Sequence, residues 1–126
     1  MIQNKTTNIS LILLTKNESQ NIEKNFDWLK KCHAVNEIVV VDDYSTDETV
    51  ATVKKLSSKY RKVKVFTKKL EQDFASQRNF AISKTTNNWI LWVDADEKPS
   101  KKLIRFINHF DKKQYKAYAF KRQDIF

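Results

Sequence analysis

The feature that most constrains the fold of this chain is a repeated alternation of short apolar runs with longer amphipathic segments. Continuous apolar, β-branched runs are typical of strands that are covered on both faces. Such a run at residues 9–14 predicts a first strand and residues 37–41 a second, buried one. Further strands are predicted at residues 63–66, where the run is shorter, at 89–93 and at 115–120. Strands that alternate with helices predict an α/β fold, with a mainly parallel sheet and helices on both faces.

Helical spacing of apolar residues fills the gaps between these strands. Ser19 can cap a first helix, in which Ile22, Phe26 and Leu29 recur on one face. Asp47 or Thr46 can cap a second helix, with an apolar stripe of Val50, Val53, Leu56 and Tyr60. Residues 74–84 predict a third helix. A fourth follows Pro99, with Leu103, Ile104, Ile107 and Phe110 on one face. We expect a single domain over residues 1–126.

Composition excludes several classes of protein. Hydrophobic residues make up 40% and charged residues 31%, which is typical of a folded globular domain. No apolar stretch approaches the roughly 20 residues of a membrane span. Cys32 is the only cysteine, so an internal disulfide and a CxxC site are both excluded. We expect the cytoplasm as the compartment, with the inner face of the membrane as a further site of peripheral contact.

The excess of basic residues has two interpretations. Lysine and arginine number 24 against 15 acidic residues, and the net charge of +9 favours anionic partners. A generic lysine-rich surface, of the kind that an AT-rich genome encodes, explains the same excess. The basic residues are scattered along the chain and no lysine- or arginine-rich block with interleaved aromatic residues appears, so we predict no nucleic-acid partner.

Polar clusters follow three of the predicted strands, at residues 15–18, 42–47 and 94–97. Ligands of parallel α/β sheets bind beyond the carboxyl ends of the strands, and these ends meet at one edge of the sheet. We therefore expect the three clusters to converge there. Because the chain contains no glycine, a P-loop and a GxGxxG turn are both excluded.

Asp94 and Asp96 form the first candidate site. Two ionised carboxylates that approach each other repel unless a cation lies between them. Mg²⁺ or Mn²⁺ takes oxygen ligands and often shares them with substrate phosphates. The alternative is a surface loop whose acids pair with nearby lysines, but the position directly after a buried strand favours the metal.

Three further groups suit the recognition of a nucleotide. The adjacent carboxylates Asp42 and Asp43 can accept hydrogen bonds from a ring N–H or from sugar hydroxyls. Asn17 and Glu18 can bind the polar edge of a base or a ribose, although turn and cap chemistry also explains them. Arg78 presents a fork suited to phosphate or carboxylate, with an exposed surface arginine as the alternative.

Four segments together resemble the family 2 inverting glycosyltransferases of GT-A fold: ISLILLTKNE, IVVVDDYSTDET, DFASQRNFAI and WILWVDADE. The match runs from about residue 9 to residue 99, in the order and spacing of the family. The amino-acid sequences of the last two segments are most similar to those of the branch that adds glucose-like sugars to lipopolysaccharide or lipooligosaccharide cores.

The resemblance implies a Rossmann-like nucleotide-sugar-binding half and a role for each matched position. The pocket for a UDP-sugar would be lined by Thr15, Asn17, Glu18, Asp43, Ser45, Asp47, Arg78 and Asp94. Within it, Asp43 would bind the uracil ring, with Ser45 and Asp47 supporting its loop, and Arg78 would contact the base or phosphate region. Asp94 would hold the ribose or the metal, and Asp96 would bind Mn²⁺ or Mg²⁺ against the diphosphate.

The implied reaction is a single displacement at the anomeric carbon, with inversion, onto a saccharide or a lipid-linked saccharide acceptor. The family's general base and acceptor site lie in its second half, so the catalytic base is expected beyond Phe126 and the chain is interpreted as an N-terminal part. Tyr44 departs from the family, since glycine or a small residue is common there. Three alternatives remain: a non-catalytic nucleotide- or anion-binding module, an aspartate-based phosphoryl-transfer enzyme and a nucleic-acid binder.

Overall fold

The computed structural model describes residues 8–110, which form four strands, four α-helices and one 3₁₀ helix. In chain order they are β1 (Ile9–Thr15), α1 (Ser19–Asn25), the 3₁₀ helix (Asp27–Lys31), β2 (Val35–Asp42), α2 (Thr49–Lys54), β3 (Lys62–Thr67), α3 (Phe74–Ser83), β4 (Trp89–Trp92) and α4 (Lys101–His109). The fifth strand predicted at residues 115–120 lies outside the described residues. Within residues 8–110, no helix combines the length and apolarity needed to cross a membrane.

The four strands form one parallel sheet in the order β3-β2-β1-β4. Thr15 at the end of β1 is in register with Asp42 at the end of β2, and Asp42 is in register with Thr67 at the end of β3. On the other side of β1, Ile12 is in register with Trp92. The predicted parallel sheet is confirmed, and its topology carries the segments after all four strands to one edge, called here the carboxyl edge.

Helices cover both faces of the sheet, as the alternation predicted. On one face, side chains from β1 and β2 pack against α1, α2 and α4; the buried set includes Leu11, Leu13, Ile38, Val40, Ile22, Val53, Ile104 and Ile107. On the other face, Ile12, Val39 and Val41 pack against Ala81 of α3. Each of β1 and β2 is therefore apolar on both sides, which explains the unbroken hydrophobic runs in the sequence.

The helix predicted after Ser19 divides into two pieces. Glu18 precedes α1 and Ser19 is its first residue, so the predicted serine cap is absent from α1. The α-helix ends at Asn25 and a 3₁₀ helix begins at Asp27. Phe26 and Trp28 are both buried. A continuous α-helix would separate two such positions by about 200°, so the tighter turn lets both side chains reach the core.

Two aromatic residues in or near the helices are exposed, and one of them, Tyr60, was predicted in an apolar stripe. The predicted stripe of the second helix included Tyr60, but α2 ends at Lys54 and Tyr60 is 82% exposed. Phe74, the first residue of α3, is 62% exposed. In both cases the residue lies at or beyond a helix end, where the helical period no longer controls the direction of the side chain.

A buried polar network fastens the opposite, amino edge of the sheet. Glu37 of β2 accepts hydrogen bonds from Ser10 Oγ at 2.7 Å and from the backbone N–H and hydroxyl of Thr86 at 2.9 and 3.0 Å. Its carboxylate also pairs with Lys64 Nζ at 2.7 Å. Burial alone would raise the pKa of Glu37, but these donors outweigh it and lower the pKa to about 2. Strands β1, β2 and β3 are thereby joined to the segment before β4.

Candidate functional site

Asn17 joins the loop after β1 to the loop after β2. Its side-chain Oδ1 accepts hydrogen bonds from the backbone N–H groups of Thr46 at 2.8 Å and Asp47 at 3.3 Å. Its own N–H donates to Ser45 Oγ at 2.8 Å. Asn17 has φ 52°, a left-handed conformation that asparagine adopts more readily than most residues. The side chain predicted to bind nucleotide is therefore occupied in shaping the two loops.

Asp42, the last residue of β2, holds the same two loops through its buried side chain. It is buried and accepts hydrogen bonds from Thr15 Oγ1 at 2.7 Å and from the N–H and hydroxyl of Ser45 at 2.9 and 2.6 Å. Sequence analysis offered Asp42 with Asp43 as an acceptor for a ligand, and the family resemblance assigned a role only to Asp43; the hydrogen bonds show that Asp42 serves the loops instead. The signal was present, because an aspartate followed three residues later by serine is typical of a side-chain-capped turn. Thr15 and Ser45 thus act on the loop shape through Asp42.

Asp47 connects the starts of two helices. Its carboxylate accepts hydrogen bonds from the N–H and hydroxyl of Thr49 in α2 and from the N–H of Ser19 in α1. The hydrogen bond from the Thr49 side chain is the largest cause of a lowered pKa at Asp47. Glu48, not Asp47 or Thr46, occupies the N-cap position of α2, so the predicted cap lies too early in the chain, although the contacts of Asp47 do include the N–H of the first helical residue. They use the carboxylate within the protein, in line with its expected support of the loop.

Asp43 and Glu18 present carboxylates at the carboxyl edge. Asp43 is half-buried, and its Oδ1 accepts the N–H of Leu70 at 3.2 Å, so the loop after β3 fixes its orientation. Its backbone N–H donates to the carbonyl of Thr15 at 2.9 Å and extends the pairing of β1 with β2. Glu18 accepts a hydrogen bond from Asn21 Nδ2 at 2.7 Å. Among the described residues, Asp43 Oδ2 has no hydrogen-bond donor and is open to a ligand.

The segment after β4 turns sharply and gathers three acids. The N–H of Asp94 donates to Glu97 Oε1 at 2.9 Å, and the N–H of Glu97 donates to the Asp94 carbonyl at 3.0 Å. Asp96 is exposed between them. The pKa of Asp94 is raised, first by burial and then by the charges of Glu97 and Asp96. Glu97, to which the sequence assigned no role, closes the turn that presents the Asp94–Asp96 pair.

Arg78 lies next to this turn. Its guanidinium carbon is 4.7 Å from the ring centroid of Trp92, at the end of β4. A hydrogen bond from the Trp92 side chain in turn favours the charged form of Asp94. The exposed-arginine alternative is therefore too simple, since Arg78 stacks on an aromatic ring that contacts the acidic turn. Sequence reasoning missed Trp92, although an aromatic residue two positions before the acidic pair was visible.

The structure thus brings the predicted residues together in two groups at one edge. The first group comprises the hydrogen-bonded loops after β1 and β2, with Thr15, Asn17, Glu18, Asp43, Ser45 and Asp47. The second comprises Arg78, Asp94 and Asp96. Strand β1 pairs with both β2 and β4 and lies between the groups. Asn25 of α1 links them, because its Nδ2 donates to the Ala95 carbonyl at 3.4 Å.

Left-handed backbone residues concentrate at the same edge. The described chain has four residues with positive φ, and all four lie in loops that follow strands: Asn17, Tyr44, Glu71 and Gln72. Tyr44 adopts φ 50°, so the turn that the sequence marked as unusual takes the left-handed conformation without glycine. Such conformations are unfavourable for residues with a Cβ, and they often persist at functional sites.

The acidic turn has the chemistry of a site for a hard divalent cation. Within residues 8–110, no group of three or more His, Cys, Asp or Glu side chains is arranged to hold a metal ion. Asp94 and Asp96 nevertheless carry carboxylate oxygens, and burial, followed by the charges of Glu97 and Asp96, raises the pKa of Asp94. A pair of carboxylates fits Mg²⁺ or Mn²⁺, which commonly completes its coordination with water and substrate phosphate.

A parallel sheet with polar loops at its carboxyl edge is typical of α/β domains that bind ligands at that edge. The model of glycosyl transferase family 2 matches residues 10–126. The chain belongs to this family, and its sheet and helices form the Rossmann-like GT-A fold.

The individual similarities cover most of this chain and less than half of each relative. An uncharacterised glycosyltransferase of Rickettsia conorii is 34% identical over 125 residues, which are 96% of this chain and 42% of the relative. The S. aureus TarS 1–349 structure in complex with UDP has 29% identity and a TM-score of 0.62, over 73% of this chain and 28% of the TarS 1–349 chain. The complex with UDP-GlcNAc has 28% identity and a TM-score of 0.60, over 79% of this chain and 29% of the TarS 1–349 chain.

Proposed function

We propose that this chain is the donor-binding part of a glycosyltransferase that uses a UDP-sugar and Mn²⁺ or Mg²⁺ and transfers the sugar with inversion. The acceptor is a saccharide or a lipid-linked saccharide, and the pathway is the synthesis of cell-surface polysaccharide or lipopolysaccharide. The similarity of the last two motifs to core glucosyltransferases supports the lipopolysaccharide core as the product. A UDP donor is supported by the similarity to TarS, which was solved with UDP.

The observation that carries this proposal is the pair of carboxylate groups at one edge of the sheet. Asp43 is fixed by the Leu70 N–H and offers its second oxygen to the N–H of a uracil ring. Asp94 and Asp96 lie after β4, on the other side of β1. A nucleoside diphosphate that lies across the end of β1 would meet Asp43 with its base and the acidic turn with its phosphates.

The remaining residues bind, orient and shield the donor. Asn17, Asp42 and Asp47 hold the two loops in shape through hydrogen bonds that need no bound nucleotide. Asp94 accepts a ribose hydroxyl or joins Asp96 in binding the cation, and Arg78 places positive charge beside the phosphates. A bound divalent cation supplies positive charge that stabilises a departing diphosphate. The general base that deprotonates the acceptor is expected outside the described residues.

Titration with UDP tests the proposal directly. We expect UDP to bind the chain more tightly with Mn²⁺ than with EDTA, and Asp96→Ala to weaken the metal-dependent binding at least tenfold, about 1.4 kcal/mol. Asp43→Asn should weaken binding both with and without metal, because it changes the contact to the base. Glu23→Ala removes one exposed carboxylate from α1 and serves as the matched control. Equal affinity of all variants under both conditions would refute the site.

A second candidate is a nucleotide-sugar-binding fragment without transfer activity. The chain spans 42% or less of the relatives it resembles. Incubation with UDP-GlcNAc or UDP-glucose, Mn²⁺ and saccharide acceptors separates the two candidates. Release of UDP that depends on the acceptor supports the transferase, and binding without release supports the fragment.

A further inference from the structure

Residues 54–69 are an exception to the even spread of basic residues along the chain. This segment contains eight of the 24 lysine and arginine residues, and the chain has no acidic residue between Glu48 and Glu71. It also contains the aromatic residues Tyr60 and Phe66. The segment runs from the end of α2 to the loop after β3, and its first half lies at the amino edge of the sheet, opposite the candidate donor site.

Two of these cations are used inside the protein and anchor the segment. Arg61 donates from Nε to the Val35 carbonyl at 3.0 Å and from Nη2 to the Leu29 carbonyl at 2.8 Å. Lys64 pairs with Glu37 at 2.7 Å. These contacts hold the turn before β3 against the amino end of β2 and against the 3₁₀ helix. The turn is therefore firmly attached, although its outer side chains are exposed.

The turn presents an aromatic residue between lysines. Ser58 and Arg61 exchange backbone hydrogen bonds at 3.2 and 3.3 Å, so Lys59 and Tyr60 form the tip of a closed turn. Tyr60 is 82% exposed, and Lys59 and Lys62 are also exposed. None of these lysines has a carboxylate partner within residues 8–110. The three side chains border a shallow hollow of about 260 Å³ at the amino ends of β2 and β3.

We propose that this basic tip, formed by Lys59, Tyr60 and Lys62, docks the protein on an anionic lipid bilayer. Lysines near a bilayer gain from its negative surface potential, and a tyrosine ring settles at the interface between headgroups and acyl chains. Lys54 and Lys55, exposed at the end of α2, add two cations nearby. A single projecting aromatic ring fits a bilayer better than nucleic acid, for which several stacking rings along a groove are typical.

This surface is separate from the candidate donor site. Strand β3 has six residues and connects the two edges, so the tip lies roughly 20 Å from the carboxyl edge. The docking proposal goes beyond the proposed function and does not depend on it, because it uses none of the residues assigned to the donor.

Sedimentation with vesicles tests the proposal. We expect the chain to bind phosphatidylcholine vesicles containing about 30% phosphatidylglycerol and not to bind pure phosphatidylcholine, at about 0.1 M salt. Lys59→Glu with Lys62→Glu should lower the partition coefficient at least 20-fold. The milder Lys59→Gln with Lys62→Gln should lower it about tenfold, and Tyr60→Ala about threefold. Circular dichroism establishes that each variant is folded.

Lys101→Glu with Lys102→Glu is the matched control, because it makes the same change in net charge at exposed positions of α4. We expect its vesicle binding to stay within threefold of the unaltered chain. If the two charge-reversed double variants lose equal amounts of vesicle binding, net charge alone determines the binding and the proposal is overturned. Tighter binding to duplex DNA than to the anionic vesicles, abolished by the same tip variants, would overturn it in favour of nucleic acid.

The UDP titration distinguishes this proposal from the proposed function. The tip variants should keep their affinity for UDP, and Asp96→Ala should keep its affinity for vesicles. Loss of UDP binding in the tip variants would contradict the separation of the two surfaces. Vesicle binding by a chain that does not bind UDP would leave the docking surface in place and refute only the donor site.

Discussion

Glu37 and Asp94 lie at opposite edges of the sheet, and the pKa values of their carboxyl groups are shifted in opposite directions. Burial favours the neutral form of both. At the amino edge, hydrogen bonds from Lys64, Ser10 and Thr86 outweigh that effect, and the pKa of Glu37 falls from its ordinary 4.5 to about 2. At the carboxyl edge, Glu97 and Asp96 add to the effect of burial, and the pKa of Asp94 rises.

The difference separates a carboxylate that holds the fold from one that is suited to a ligand. Every donor around Glu37 comes from the chain itself, so its negative charge is already compensated. The turn at Asp94 collects negative charge without an equivalent set of donors, and a cation from solution can supply the compensation. Compensation of carboxylate charge therefore stabilises the fold at the amino edge of the sheet, and its lack favours binding of a cation at the carboxyl edge.

The largest expected effect is on stability at the amino edge. Glu37→Ala leaves Ser10, Thr86 and Lys64 without their acceptor, and we expect the free energy of unfolding to fall by about 3 kcal/mol. Urea denaturation followed by circular dichroism measures it. The exposed pair of Asp27 and Lys98 is the control, since Asp27→Ala should change stability by less than about 0.5 kcal/mol. Similar losses at both sites would remove the distinction between a buried network and a surface ion pair.

The second effect is the pH dependence of the same network. Because the pKa of Glu37 is lowered in the folded chain, its ionised carboxylate adds to the free energy of unfolding above pH 4.5. That contribution is lost as the pH falls from 4.5 toward 2. The difference in unfolding free energy between the unaltered chain and Glu37→Gln should therefore shrink over that range, by about 2 kcal/mol. Denaturation curves at a series of pH values test it. A difference that stays constant with pH would show that the carboxylate charge is not the stabilising feature.

A third effect, about 1 kcal/mol, concerns the strained loop at the carboxyl edge. Tyr44 is exposed and has φ 50°, so Tyr44→Gly should be more stable than Tyr44→Ala by about that amount. Thermal unfolding of the two variants measures the difference without involving the tyrosine ring. Ala51, exposed in the right-handed helix α2, is the control, and glycine there should be less stable than alanine. The same order at both positions would contradict the left-handed turn.

The smallest expected effect is on the stability of the acidic turn that contains Asp94. The pKa of Asp94 is raised in the folded chain, so protonation of its carboxyl group stabilises the fold. This contribution to the free energy of unfolding is complete below pH 3.8 and is lost as the pH rises through the raised pKa. Asp94→Asn should therefore stabilise the metal-free chain at neutral pH, by about 0.5 kcal/mol, and the gain should vanish in acid. Mn²⁺ should stabilise the unaltered chain more than the variant. A loss of stability at neutral pH would show that Asp94 is already compensated.

Local patterns in the sequence were sufficient for the sheet and for most of the helices. The runs ending at Leu14, Val41, Phe66 and Val93 are strands to within two residues. The signal was strongest for β1 and β2, because side chains buried on both faces leave long apolar runs. The division of the helix after Ser19 and the exposure of Tyr60 were not predictable from period alone. Both depend on where the core ends, which is a property of the packed molecule.

The sequence by itself determined which residue types follow each strand, and the parallel topology then determines that they share an edge. Only the tertiary structure decided how each is used, because hydrogen bonds between loops join residues about 30 positions apart. Asn17, Ser45 and Asp47 resemble ligand-binding residues in the sequence, yet their polar atoms hold the loops together. The opposite shifts of Glu37 and Asp94 have the same origin, since the charge of a carboxylate is governed by the donors and acids that folding brings beside it.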